Sequence, residues 1–133
     1  MRWLIDGNNV MGAAADGWWN DPPAAAERLA RQVARWSEEL AETDPGPEVV
    51  LVFDGRPVAA VAEQAGGSLR VEFAPTPKRD AADDLIVELA EKLFVDPDLT
   101  VVTSDKGLVA RLPPGVEVVA AGRFRREHLR LGR

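Results

Sequence analysis

Three apolar runs of this chain end in an aspartate: Trp3-Leu4-Ile5-Asp6, Val50-Leu51-Val52-Phe53-Asp54 and Val101-Val102-Thr103-Ser104-Asp105. A further acidic pair, Asp83-Asp84, opens a stretch with helical periodicity. Each run is short, nearly continuous and rich in branched side chains, which reads as a strand of a parallel sheet buried on both faces. Ligands of an open α/β sheet lie outside the carboxyl ends of its strands, so Asp6, Asp54 and Asp105 are expected at one edge. Carboxylates gathered there repel one another: at about 4 Å and an effective dielectric near 20, each pair costs roughly 4 kcal/mol. A divalent cation held by Asp6, Asp54, Asp83 and Asp105, with Asp84 as an outer or alternate ligand, relieves that repulsion. Mg2+ or Mn2+ suits the set, because a hard ion bound by a few carboxylates keeps waters for a substrate phosphate. The chemistry then open is polarisation of a phosphodiester and activation of a water for in-line attack, with Asp83 or Asp105 orienting that water. The chain has no cysteine and one histidine, His128. This excludes a thiol nucleophile, a thiolate metal site and a multi-histidine zinc site.

The elements that must position these acids are legible in outline. Strands are expected at 2–5, 48–53, 69–73, 99–103 and 116–119. Asp6-Gly7-Asn8-Asn9 reads as a tight turn able to close around a ligand, and 12–20 as a loop. Asp21-Pro22-Pro23 is a helix start, with Asp as the cap and proline in the first turn. That helix runs to about Glu42 and buries Leu29, Val33, Trp36 and Leu40 at helical spacing. Shorter helices are expected at 58–65, after Lys106 and at 123–131, and a longer one at 80–95. Strands alternating with helices give an α/β fold of three layers, α/β/α, around a mainly parallel sheet of about five strands. The 133 residues suffice for one domain spanning 1–133 and are too few for two ordinary ones. No apolar run approaches the roughly 18 residues of a membrane span, and the N-terminus lacks the pattern of an export signal, so a cytoplasmic location is expected.

Around the helix at 80–95, at about 100° per residue, Ala82, Leu85, Ile86, Leu89, Ala90 and Leu93 form one stripe. Asp83 falls at its border, toward the strand ends, and Asp84 roughly opposite it. Each acid also has a plain structural reading: Asp83 as a first-turn acid complementing the helix dipole, Asp105 as a helix cap, Asp54 as the start of a turn.

Taken in order, Asp6-Gly7-Asn8-Asn9-Val10, Phe53-Asp54-Gly55, Ala82-Asp83-Asp84-Leu85-Ile86 and Thr103-Ser104-Asp105 resemble the NYN branch of the PIN-like nucleases, and within it the bacterial YacP-like group. The resemblance spans nearly the whole chain. It implies a compact PIN-like domain with Mg2+- or Mn2+-dependent endoribonuclease activity. It further implies catalytic or metal roles for Asp6, Asp54, Asp83 and Asp105, with Asn8 and Ser104 supporting them. RNA, single-stranded, is the expected substrate, and the ribosome a possible partner.

The net charge of −6 hides an asymmetry: residues 123–133 carry about +4, leaving about −10 elsewhere. Phosphate contacts supply most sequence-independent affinity for nucleic acid. Arg56, Lys78, Arg79 and Lys106 adjoin the expected site loops, and Arg123, Arg125, Arg126 and Arg130 extend the basic rim. Trp18 and Trp19 are read as packing over the core, with stacking on bases the competing role. His128 is read as a surface or last-turn residue. Two other classes compete with the nuclease. A phosphatase of the haloacid dehalogenase type would want a second acid two residues after Asp6, where Asn8 stands. A binding-only adaptor would have no reason to keep self-repelling carboxylates.

Overall fold

The computed structural model describes residues 2–14, 17–43, 48–74, 81–93 and 98–129. Five strands, β1 (Arg2–Asp6), β2 (Glu48–Asp54), β3 (Leu69–Ala74), β4 (Leu99–Val102) and β5 (Glu117–Val119), form one parallel sheet in the order β3-β2-β1-β4-β5. The helices are α1 (Gly7–Gly12), α2 (Pro22–Thr43), α3 (Ala59–Ala62), α4 (Ala81–Leu93), α5 (Lys106–Arg111) and α6 (Ala121–Phe124), the last running on into a wider turn at Arg125–Leu129.

Alternation along the apolar runs sorts side chains between two cores. Trp3, Ile5, Val49, Leu51 and Phe53 meet α1, α2 and α6 on one face. Leu4, Val50, Val52 and Val101 meet Ala82, Ile86 and Ala90 of α4 and Leu108 of α5 on the other. These are the three layers expected. Asp21 caps α2 through its Oδ1, which accepts from Ala24 N at 3.2 Å, and Leu29, Val33 and Trp36 are buried along that helix.

The strand order places the chemistry. From β1 the chain steps outward through β2 to β3, then returns to add β4 and β5 on the other side of β1. The order therefore reverses between β1 and β4, and a crevice opens at such a switch point. Ile5 pairs with Val102, so Asp6 stands level with Thr103.

Two elements differ from expectation. The segment after Asp6 is the helix α1, not a tight turn, because the Asp6 carboxylate caps it by accepting from Asn9 N at 3.3 Å. His128 stands in the last turn, one of its two expected places, but is half-buried there rather than on the surface. It packs against Trp3, Trp36 and Phe124 with ring centroids 5.4–5.6 Å apart, and burial lowers its pKa.

Gly7 allows α1 to start against β2: a Cβ there would sit 2.7 Å from the Val52 carbonyl oxygen and 2.7 Å from the Phe53 ring. Backbone cannot yield as a side chain does. Gly7→Ala should therefore destabilise the protein by about 1–3 kcal/mol, read as a lower urea midpoint at unchanged slope.

Candidate active site

Asp6 ends the central strand and is 5% exposed. Its Oδ1 takes the Asn9 N–H, and its Oδ2 accepts the Thr103 hydroxyl at 2.9 Å. Hydrogen bonds of this kind favour the carboxylate, yet the Asp6 carboxyl is pushed up to about 6. Burial is the largest cause; the bonds from Thr103 and Asn9 oppose it, and the charges of Asp83 and Asp105 add to it. The acids felt at Asp6 thus come from the first turn of α4 and the cap of α5.

Thr103 organises that edge. Buried at 1% exposure, its Oγ1 donates to Asp6 and accepts from Asp105 N at 3.1 Å. Asp105 then caps α5 by accepting from Leu108 N at 3.1 Å, so its plain structural reading is realised alongside its charge coupling to Asp6. On either side of Asp6 the first turn of α1 reaches to a neighbouring strand end. The Asn8 Oδ1 accepts from Asp54 N at 2.7 Å, and the Asn9 Oδ1 accepts from Ser104 N at 2.7 Å. Two adjacent amides bind the ends of β2 and β4 to the start of α1. The Ser104 hydroxyl accepts from Ala121 N at 2.8 Å and so fixes the start of α6.

Asp54 and Asp84 each have a partner of their own. The exposed Asp54 accepts from Ala82 N at 3.3 Å, holding the first turn of α4 against the end of β2. Asp84 forms an ion pair with Arg111 of α5 at 2.7 Å. Among the described residues, no group of three or more acidic, histidine or cysteine side chains is arranged to hold a metal ion. Thr103 and Asn9 are the members that reading the sequence passed over in favour of Ser104 and Asn8. The available signal for Thr103 was a hydroxyl residue ending a fully apolar strand two places before an acid.

Of the basic residues, Arg56 and Lys106 are exposed at the carboxyl edge of the sheet. Lys78, Arg79 and Arg130 lie outside the described residues. Arg126 is exposed, and Arg123 bonds Glu127 at 2.8 and 3.1 Å. Arg125 does not join an exposed track: it is 8% exposed, on the inward side of the turn after α6. Trp18 packs on the core, whereas Trp19 is 64% exposed.

The five-stranded parallel sheet, flanked by helices, defines a PIN-like α/β protein. The profile of the YacP-like NYN domain matches residues 3–126, and the chain belongs to that family. Among solved structures it is similar to Rae1 (YacP) from Bacillus subtilis, crystallised as a mutant. The two are 25% identical, with a TM-score of 0.65 over 95% of this chain and 73% of that one. No curated protein matches. NYN and other PIN-like domains are generally nucleases.

Two outcomes follow from the state of Asp6. Its folded pKa, about 6, lies above its ordinary value of 3.8, so the folded state binds the proton more tightly. The associated stability is present below about pH 4 and lost as pH rises through 6, amounting to about 3 kcal/mol. Asp6→Asn should therefore stabilise the metal-free protein at pH 7.5 by up to that amount and have little effect at pH 4, measured by denaturant unfolding at both. Thr103→Val removes the hydroxyl that favours the carboxylate, and the Asp6 titration followed by NMR should move above 6.

Proposed function

We propose that this chain is a divalent-metal-dependent endoribonuclease that hydrolyses RNA phosphodiester bonds at the edge formed by Asp6, Asp83 and Asp105. The observation that carries this reading is the buried Asp6 carboxyl, raised to about 6 beside two further acids at the switch point of the sheet. Membership of a family within the PIN-like nucleases supports it, and RNA as the substrate class rests on that membership.

The donor set fits Mg2+ or Mn2+. All three groups are hard carboxylate oxygens, and Mg2+ typically takes one or two carboxylates directly and keeps waters for the rest. A complete three-acid cage is therefore not required. Asp6, Asp83 and Asp105 are the residues that would hold the ion. Bound there, such an ion supplies a positive centre for a phosphate oxygen and lowers the pKa of a water.

The protein's own groups do the remaining work. Thr103 fixes the orientation of Asp6 and, through Asp105 N, that of Asp105. Asp54 sets the height of α4 and so the place of Asp83, which we assign to orienting the attacking water. Arg56 and Lys106, exposed at the same edge, would hold the phosphates of a bound strand.

The test is incubation of purified wild type and Asp83→Asn with single-stranded RNA, in Mn2+ or in EDTA. Internal cleavage is expected only for the wild type with Mn2+, the variant being slower by at least about 100-fold, as for loss of a residue that positions or takes the proton of water. Absence of cleavage with Mn2+ still bound would point to a required partner such as the ribosome. Absence of both would overturn the reading and favour a binding-only protein.

A further inference from the structure

Beside the acidic edge, on the α1/α2 face of the sheet, lies a pocket of about 130 Å3. Its walls are apolar and come from four elements: Met11 of α1, Pro22 and Pro23 of α2, Phe53 of β2 and Phe73 of β3, with Val61 of α3 at its floor. The Phe53 and Phe73 rings lie nearly parallel, 26° between planes with centroids 6.1 Å apart. Phe73 is half-buried because β3 is an edge strand.

The polar groups of the pocket are those of the active edge. Asn8 and Asp54, joined by their 2.7 Å bond, line it on that side, and the exposed Arg56 stands at its mouth. The Asn8 carbonyl oxygen is taken by Asp54 N, while among the described residues its Nδ2 has no acceptor.

We propose that this pocket receives one unstacked base of the RNA strand whose phosphate lies at Asp6, with Asn8 Nδ2 donating to the base edge and Arg56 to a flanking phosphate. The inference rests on the nuclease reading for the identity of the strand. It goes beyond that reading in assigning a base-selecting role to the apolar pocket beside the acids. Size and chemistry single out this occupant. The cavity suits one planar ring and is too small for a peptide segment. Its apolar interior repels a phosphate, and aromatic rings are what single-strand binders use to hold bases. A shared wall with the acidic edge puts adjoining parts of one nucleotide chain in both places.

Binding is measured on the full chain in EDTA, where no hydrolysis occurs. Fluorescence anisotropy compares a labelled single-stranded RNA with an abasic strand of the same length. Wild type should prefer the base-bearing strand by about tenfold, the scale of one stacked base. Val58→Trp, which fills the pocket from its half-buried rim, should erase that preference and leave abasic binding unchanged. Phe73→Ala, on the edge strand, should reduce it, and serves as the second variant if Val58→Trp melts early. A wild type that binds both strands equally, or a folded Val58→Trp that keeps the preference, overturns the proposal. Cleavage in Mn2+ separates the two readings. Pocket-dependent base preference without cleavage leaves the pocket standing and removes the nuclease. Cleavage with the same base preference in Val58→Trp does the reverse.

Discussion

The structure depends on keeping one carboxylate, that of Asp6, almost out of water at the end of the central strand. Burial of an ionised acid is costly unless it is paired or hydrogen-bonded. Two bonds, from Thr103 Oγ1 and Asn9 N, offset part of that cost. They do not offset all of it, which is why the carboxyl still titrates near 6. The residual imbalance is an electrostatic demand for positive charge at one point. Almost every other feature of this edge either creates that demand or holds its geometry.

The means of holding it are short and local in chemistry but long-range in the chain. α1 begins at Asp6, and its first turn presents Asn8 to β2 and Asn9 to β4, each accepting a backbone N–H at 2.7 Å. Asp54 in turn takes the Ala82 N–H of α4, and Ser104 takes the Ala121 N–H of α6. Buried or terminal N–H groups need acceptors, and here each acceptor is a side chain beside the acids. Several residues that look catalytic by type thus also tether neighbouring elements. The tethers fix the spacing at which Asp83 and Asp105 act on Asp6.

The same arrangement explains why an acidic chain can present an edge suited to nucleic acid. Arg111 neutralises Asp84, and Glu127 binds Arg123, so neither pair adds a strong field. Among the described residues, Arg56 and Lys106 are exposed at the carboxyl edge along with Asp54, while Asp6 is recessed. A divalent cation at the acids would offset much of their negative charge there, despite a net charge of −6. The apolar pocket next to it lies on the α1/α2 side, so the edge offers charge and shape in adjoining places.

Local order along the chain was enough to announce the strands, the Asp21 cap of α2, the buried stripe of α4 and the three carboxylate-ended runs. Each follows from periodicity or from a residue's own conformational preference, which act over a few positions. The helix α1 was hidden because Gly7, Asn8 and Asn9 are poor helix formers; the Asp6 cap and the packing of Val10 and Met11 override that preference. What only the tertiary structure decided is which groups meet. The reversal of strand order between β1 and β4 put Thr103 rather than Ser104 on Asp6, and α5 put Arg111 on Asp84. Packing against the core turned Arg125 inward and His128 onto Trp3 and Trp36. The Arg111–Asp84 and Thr103–Asp6 pairs stand 27 and 97 residues apart in the chain, and no spacing rule along one chain encodes which distant partner arrives first.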